Sequence, residues 1–200
     1  MKGAAPGKGP ADWDRRFAEP GHAYGTAVNV FLARSAQGLA PGTVLTLAEG
    51  EGRNAVWLAL QGHRVTAVDF SATGRDKALT MAMRAHVMID YWLGDLADFE
   101  PGVDQWDLVV AIFSQPPAAV RRRLHAGLSR ALRPGGRFIL EAKAEAGSGP
   151  DARYPSVEHL CAELTGLEIV SFDEAERDLR EGRYHAGTVR TARIIARRPA

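Results

Sequence analysis

The sequence predicts an α/β protein built on a doubly wound sheet. Short apolar runs alternate with helical segments in the order β-α-β-α-β-β-α-β, which is typical of such a sheet. A turn containing Gly50 and Gly52 joins the first strand directly to a helix. Two alternating apolar stretches near the C-terminus, 167–172 and 189–196, predict an antiparallel hairpin at the sheet edge.

Each predicted element has a local reason in the sequence. Thr26 is expected to cap a helix that ends before Gly38, because its hydroxyl can accept a free N–H group of the first turn. Pro116 and Pro117 stand at a helix start, where proline is tolerated. The strands are predicted over 43–48, 64–69, 86–92, 106–113 and 137–142, and the other helices over 53–61, 72–85, 116–132 and 156–164.

Length and composition indicate one soluble domain. The chain has 200 residues, of which 46% are hydrophobic and 24% charged. We expect residues 1–10 to be a disordered lead-in, because they are rich in glycine, proline and lysine, and residues 11–200 to form the domain. No apolar run reaches the roughly 20 residues of a membrane span, and the N-terminus lacks the apolar stretch of a signal peptide. A cytoplasmic location is therefore expected.

The charge balance excludes several classes of partner. There are 25 basic and 24 acidic residues, so no basic half exists to bind nucleic acid. The short basic run Arg121–Arg123 is interpreted as a solvated helix face. The single cysteine, Cys161, excludes an internal disulfide, and the histidines lack metal-ligand spacing, so no metal site is expected. A small molecule remains the expected partner, with the oligomeric state left open.

The glycine turn after the first strand predicts a nucleoside site. Gly50-x-Gly52-x-x-Ala55 fits the fingerprint in which glycines let a ligand approach the backbone. Asp69 closes the second strand 19 residues after Gly50, where an acid receives ribose hydroxyls.

Two acids in this turn bear on which nucleoside binds. Glu49 and Glu51 would repel a pyrophosphate, which requires free amide donors and no nearby negative charge. They are compatible with a cationic cofactor without phosphate, such as S-adenosylmethionine, although both acids could instead point to solvent. An NAD-type oxidoreductase is thus the weaker alternative.

Five motifs in order resemble those of class I S-adenosylmethionine-dependent methyltransferases. They are VLTLAEGEGRN (Val44–Asn54), VTAVDFS (Val65–Ser71), GDLADF (Gly94–Phe99), WDLVVAIF (Trp106–Phe113) and LRPGGRFIL (Leu132–Leu140). The family implies a Rossmann-like sheet of seven strands with the last one antiparallel. It also implies a helical cap over the cofactor, here residues 11–38.

Within that family the chain is most similar to the small tellurite-resistance TehB-like and thiopurine-methyltransferase-like branch. The segments that carry this likeness are WDRRF (Trp13–Phe17), YGTAVNVFL (Tyr24–Leu32), AEGEGRNAVWLA and EGRYHAG (Glu181–Gly187). The branch implies methyl transfer to a small molecule, and the sequence does not identify which one.

The resemblance assigns a cofactor site for S-adenosylmethionine, with S-adenosylhomocysteine as the product. Asp69 would accept the ribose hydroxyls, Asp95 would accept from the adenine amino group, and Leu96 would cover the ring. The full set of expected cofactor-binding residues is Ala48, Glu49, Gly50, Gly52, Asn54, Asp69, Phe70, Ser71, Asp95, Leu96, Ile112 and Phe113.

The acceptor side is less determined, and the sequence does not identify a catalytic residue. A soft, anionic acceptor needs no general base, whereas a neutral oxygen or nitrogen acceptor would benefit from one. The candidates are His22, Tyr24, Arg16, His185 and Gln115.

Two residues depart from the first motif of the family. Thr46 stands where the motif usually has Asp, and Ala48 replaces its first glycine. A hydroxyl replaces one hydrogen bond but not the negative charge, so cofactor affinity could fall by roughly 1–3 kcal/mol. A non-catalytic, cofactor-binding or regulatory relic of the fold is therefore a second alternative.

Overall fold

The computed structural model describes residues 9–200, so most of the predicted lead-in lies outside the described residues. Seven strands form one mixed sheet in the order β3-β2-β1-β4-β5-β7-β6. The strands are β1 Thr43–Leu47, β2 Arg64–Asp69, β3 Asp90–Leu93, β4 Trp106–Ile112, β5 Leu132–Lys143, β6 Glu168–Glu181 and β7 His185–Arg197. The helices are α1 Pro10–Phe17, α2 Val30–Ser35, α3 Arg53–Leu60, α4 Ala72–Arg84, α5 Ala118–Ala131 and α6 Val157–Glu163.

The sheet has the predicted doubly wound, Rossmann-like topology. Strands β1 to β5 pair in parallel, and β7 is antiparallel to both β5 and β6. The central strand β1 is buried on both faces, as its continuous apolar sequence predicts. Leu45 and Leu47 face the core shared with α5 and α6, and Val44 faces the core shared with α2, α3 and α4.

Two predicted boundaries are wrong, for identifiable reasons. The third strand begins at Asp90 and not at residue 86, because His86 adopts a left-handed φ of 56° and Val87 N–H bonds back to the Ala82 carbonyl of α4. The helix expected to begin at Thr26 begins at Val30, and Asn29 caps it by accepting a hydrogen bond from Leu32 N at 2.9 Å.

The basic run on α5 is not the solvated face that the sequence predicts. Arg121 is only 6% exposed, and its guanidinium pairs with Glu163 of α6 at 2.9 Å. His125 Nδ1 lies 2.7 Å from the same carboxylate. Burial of Glu163 between α5 and α6 requires these partners. Arg122 and Arg123 form more exposed pairs, with Asp151 and Glu100.

The C-terminal hairpin is longer than predicted. Strand β5 pairs with β7 only as far as Lys143↔Thr191, whereas β6 and β7 stay paired to Glu181↔His185. Residues 176–190 therefore extend beyond β5 as a two-stranded ribbon, the hairpin arm. Its turn packs on the N-terminal segment: Tyr184 N donates to Ala23 O at 3.2 Å, and a Cβ on Gly182 would lie 2.4 Å from Gly25 N.

A buried polar network joins this arm to the sheet and to the N-terminal segment. Asn29 Nδ2 donates to Glu141 Oε2 at 2.6 Å and to Glu181 Oε1 at 2.8 Å. Arg193 Nε donates to Glu141 Oε1 at 2.6 Å, and Arg53 Nη2 donates to Glu181 Oε2 at 2.6 Å. We call these five residues the Asn29 network. Glu141 is completely buried, so its charge depends on these partners.

Two further features, a membrane-spanning helix and a metal-binding cluster, were sought among the described residues. Among residues 9–200, no helix has both the length and the apolar character needed to cross a membrane. In the same range, no three His, Cys, Asp or Glu side chains cluster in a way that could hold a metal ion.

Asn29→Ala should destabilise the protein by about 2–4 kcal/mol, because it removes a helix cap and leaves two buried carboxylates short of a donor. Denaturant unfolding followed by circular dichroism measures the change. Thr26→Ala is the matched control, since Thr26 is exposed and caps no helix. Equal loss in both variants would contradict the role of the network.

Candidate functional site

The turn after β1 is held in a left-handed conformation by its small residues. Ala48, Gly50 and Gly52 have φ values of 54°, 63° and 90°. A Cβ on Gly52 would lie 2.5 Å from the Ala78 Cβ of α4, and one on Gly50 would lie 3.0 Å from the Phe17 ring of α1. The glycines are therefore required by local packing, in addition to any ligand they admit.

Asp69 ends β2 beside this turn. Its Oδ2 accepts from Gly50 N at 3.0 Å and its Oδ1 accepts from Ser71 N at 2.8 Å. Burial raises the pKa of this carboxyl above its ordinary value, although the backbone N–H bonds oppose the shift. Among residues 9–200, Asp69 has no ion-pair partner. The carboxylate is thus fixed at the carboxyl edge of the sheet, where open α/β sheets bind ligands.

Ser71 connects the cofactor side to the N-terminal helix. Its Oγ accepts from Gly74 N at 3.0 Å, capping α4, and donates to Asp14 Oδ1 at 2.5 Å. Thr73 N donates to the same Asp14 oxygen at 3.1 Å. Helix α1 is thereby held across the start of α4, next to the glycine turn.

Glu49 takes up the backbone donors at the start of α3. Its Oε1 accepts from Asn54 N at 3.0 Å and from Ala55 N at 2.9 Å. Burial raises the pKa of the carboxyl to about 7, although the N–H groups, the nearby Thr46 hydroxyl and Arg53 favour its charged form. Thr46 Oγ1 itself is buried without a hydrogen-bond partner of normal geometry. Glu49 thus supplies a carboxyl group close to Thr46, the strand position where the resembled motif usually has Asp.

Glu51 is also committed to protein contacts. It is 5% exposed, accepts from Ala23 N at 2.7 Å and forms an ion pair with Lys77 at 2.9 Å. Neither acid of the turn points freely to solvent. Because Lys77 neutralises Glu51, the electrostatic argument against a phosphate now depends mainly on Glu49 and Asp69.

The remaining predicted cofactor residues differ in burial and in hydrogen bonding. Asn54 Oδ1 accepts from Asn29 N at 3.0 Å, so this side chain joins α3 to the N-terminal segment. Asp95 is exposed and accepts from Ala97 N at 2.8 Å, and Leu96 is buried in the core. Phe70 is half-buried at the end of β2, and Ile112 is buried at the end of β4.

The structure brings two predicted acceptor-side rings, those of Tyr24 and His185, together with the ring of Phe113, which was predicted to bind the cofactor. The His185 imidazole lies 4.4 Å from the Tyr24 ring and 4.3 Å from the Phe113 ring, between centroids. Phe113 has a left-handed φ of 53°, which turns the chain at the end of β4. Arg16 Nη1 donates to Tyr24 Oη at 2.8 Å. The rings of Tyr24, Phe113 and His185 form one wall, which we call the ring wall. Arg16 of α1 is hydrogen-bonded to its edge.

His185 is a buried imidazole whose Nδ1 has no hydrogen-bond partner among the described residues. The residue is 7% exposed, and its Nδ1 lies 3.6 Å from Glu181 Oε2, too far for a hydrogen bond. Burial lowers the pKa of His185, and the Lys143 charge lowers it further, against the opposing effect of Glu181. The imidazole is therefore neutral at pH 7 and able to accept a proton.

Two candidates lie elsewhere. Gln115 lines a cavity between the ends of β4 and β5 and helices α5 and α6, together with Ser114, Lys143 and Arg153. His22 lines a separate surface depression over α4. The structure does not bring His22 into the wall formed by Tyr24 and His185.

Sequence reasoning missed several residues that build this site: Asn29, Arg53, Glu141, Lys143 and Glu181. One signal was present, because Glu141 interrupts the apolar run of the strand predicted over 137–142, and Lys143 follows it directly. The partners of Glu141 lie 112 and 52 residues away, so its role depends on the tertiary fold.

The chain matches one known family by sequence. Residues 44–136 match the profile of a family described as a methyltransferase domain. The matched range contains the glycine turn, Asp69 and all of β4. No curated protein matches the chain by sequence.

Several solved structures share the fold. A protein described as converting a disulfide bond into a thioacetal group during echinomycin biosynthesis aligns with a TM-score of 0.73 at 21% identity, over 92% of this chain and 86% of that one. TehB from Haemophilus influenzae aligns at 0.71 and 18%, over 94% and 66%. The [4+2]-cyclase SpnF aligns at 0.68 and 18%, over 84% and 78%. At these identities the likeness establishes the fold alone.

Glu49→Gln should flatten the pH dependence of stability between pH 5 and 8. The folded pKa of about 7 lies above the unfolded value near 4.3, so this stabilisation is complete below the unfolded pKa and is lost as pH rises through 7. Gln keeps an oxygen for both N–H groups. Thermal unfolding across this range measures the slope, with the exposed Glu100→Gln as control. An unchanged slope in Glu49→Gln would refute the assignment.

Proposed function

We propose that this chain is a class I S-adenosylmethionine-dependent methyltransferase that methylates a small-molecule acceptor. The match of residues 44–136 to a family described as a methyltransferase domain supports this proposal. The observation that carries the proposal is the Asp69 carboxylate, fixed by Gly50 N and Ser71 N at the edge of the sheet. This carboxylate has no cation beside it among the described residues.

The donor set at this edge fits an adenosine without phosphate groups. A pyrophosphate would face Asp69 and Glu49, while the nearby Arg53 and Lys77 are already paired with Glu181 and Glu51. Ribose hydroxyls, in contrast, can donate to a carboxylate. The left-handed turn at Ala48 and Gly50 brings the backbone directly beside Asp69, to which Gly50 N donates at 3.0 Å. These features support S-adenosylmethionine over an NAD-type cofactor.

Individual roles follow from position. Asp69 receives the ribose hydroxyls, Phe70 packs beside the ribose and Asp95 accepts from the adenine amino group. Residues 11–38 cover this site as a cap. The cap is joined to the cofactor side through Asp14 and Ser71, which share a hydrogen bond of 2.5 Å.

When bound, S-adenosylmethionine supplies a methyl group activated by its sulfonium. The protein then has to exclude water and hold the acceptor in line, which the ring wall of Tyr24, Phe113 and His185 can do. For an acceptor that carries a proton, the imidazole of His185, whose Nδ1 lies 3.6 Å from Glu181 Oε2, is the group of this wall that can receive it. Glu181 would stabilise the resulting imidazolium.

The relic alternative loses its main support. It depended on the missing acid at Thr46, but Glu49 now supplies a carboxylate to the same turn and to the start of α3. The observations therefore favour an active methyltransferase over a non-catalytic binding protein.

Cofactor identity can be tested by thermal shift. S-adenosylhomocysteine should raise the melting temperature of the protein, since a ligand bound to the native state stabilises it by mass action. NAD at the same concentration should leave it unchanged. A rise with NAD and none with S-adenosylhomocysteine would overturn the proposal.

Asp69→Ala should weaken S-adenosylhomocysteine binding at least tenfold, because the ribose hydroxyls lose a charged acceptor. Isothermal titration calorimetry measures the affinity, and the melting temperature of the free variant reports whether its fold is intact. Asp90→Ala, at the exposed start of β3, is the matched control. Unchanged affinity in a folded Asp69→Ala variant would disprove the ribose assignment.

A further inference from the structure

Two basic side chains near the ring wall lack the ion pairs that other shielded cations of the protein form. Arg53, Arg121 and Arg193 are paired with Glu181, Glu163 and Glu141. Among residues 9–200, Arg16 and Lys143 are the two lysines or arginines that are partly buried and have no carboxylate within ion-pair distance. The other unpaired arginines are exposed, and these are Arg34, Arg64, Arg84, Arg130, Arg137 and Arg153.

Arg16 is held in place by aromatic rings. Its guanidinium carbon lies 4.2 Å from the centre of the Tyr184 ring and 5.0 Å from that of Trp13. Its Nη1 donates to Tyr24 Oη at 2.8 Å. A guanidinium has five N–H donors, so most of this fork is available in a fixed orientation, which suits a planar anion.

Lys143 ends β5, on the acceptor side of the sheet. It is half-buried and lines the cavity that also contains Ser114, Gln115 and Arg153. Burial lowers the pKa of its ammonium, and the positive charges of Arg16 and Arg153 lower it further. The Lys143 charge also acts on His185. Phe113 N donates to the carbonyl of Glu141 at 2.6 Å, two residues before Lys143, so the end of β5 lies beside the strand end that carries the ring of Phe113.

An uncompensated cluster of this kind is costly unless a ligand completes it. The cationic sulfonium of the proposed cofactor cannot do so. We infer that the methyl acceptor carries an anionic group, a carboxylate or an oxyanion, which Arg16 and Lys143 bind beside His185. This inference depends on the proposed function and specifies the class of its acceptor.

The test uses simple anions as probes on protein saturated with S-adenosylhomocysteine. Benzoate and phenylphosphonate represent the two anionic groups, and benzyl alcohol is the neutral match of similar size. Ligand-observed NMR titration at fixed ionic strength should show at least one anion binding tenfold or more tightly than benzyl alcohol. No preference for either anion would overturn the inference, and the proposed function would stand because the cofactor product still binds.

Variants assign the effect to the two residues. Arg16→Gln and Lys143→Gln should each weaken binding of the preferred anion at least fivefold. Arg15→Gln, the exposed neighbour on α1, and Arg130→Gln, an exposed residue of α5, should leave it unchanged. Equal losses in the control variants would overturn the inference.

The same variants distinguish the acceptor from the carboxylate of the cofactor. Affinity for S-adenosylhomocysteine should stay within threefold of the original in Arg16→Gln and Lys143→Gln, which also shows that both variants fold. A tenfold loss of that affinity, with anion binding unchanged, would assign the two cations to the cofactor and overturn the inference. Failure of the unmodified protein to bind S-adenosylhomocysteine at all would instead contradict the proposed function.

Discussion

The arrangement of the site depends on two carboxylates that the protein buries where the sheet meets its N-terminal segment. The carboxyl groups of Glu141 on β5 and Glu181 at the end of β6 are tolerated there only because hydrogen-bond donors surround them. Their donors are Asn29, Arg53 and Arg193, which come from the N-terminal segment, α3 and β7. Satisfying these groups fixes several distant segments at once. Tyr24 and His185 are brought into contact as a consequence.

At the glycine turn, one carboxylate likewise orders several backbone groups. The methyltransferases that the first motif resembles usually have an acid on the first strand, and this chain has Thr46 there. Glu49, three residues later, turns back to the N–H groups of Asn54 and Ala55, so a carboxylate still orders the start of α3. The hydrogen-bond-accepting carboxylate therefore stands at position 49 instead of position 46, and the turn still has one. Its raised pKa is the cost of placing a longer acid in a more enclosed position.

How well each part could be predicted depends on how local its causes are. Strand β2 and the centres of β1 and β4 follow from continuous apolar runs, and the sequence predicted them closely. Thr26 and Asn29 are both acceptable caps, and the choice depends on carboxylates more than 100 residues away, which no window of sequence contains. The extension of the hairpin into the arm was missed because its residues are mostly polar and its two strands form β-pairs only with each other.

The same distinction separates the two halves of the site. The proposed cofactor side is made by a turn and by strand ends, so its geometry is set by backbone that short motifs specify. The proposed acceptor side draws Arg16, Tyr24, Phe113 and His185 from distant parts of the chain, and only the folded sheet makes them neighbours. The absence of ion pairs at Arg16 and Lys143 can be seen only in the folded chain. A sulfonium placed beside these cations would raise the local positive charge further. An anionic acceptor would therefore be held most strongly when the cofactor is already present, which favours formation of the complex competent for transfer.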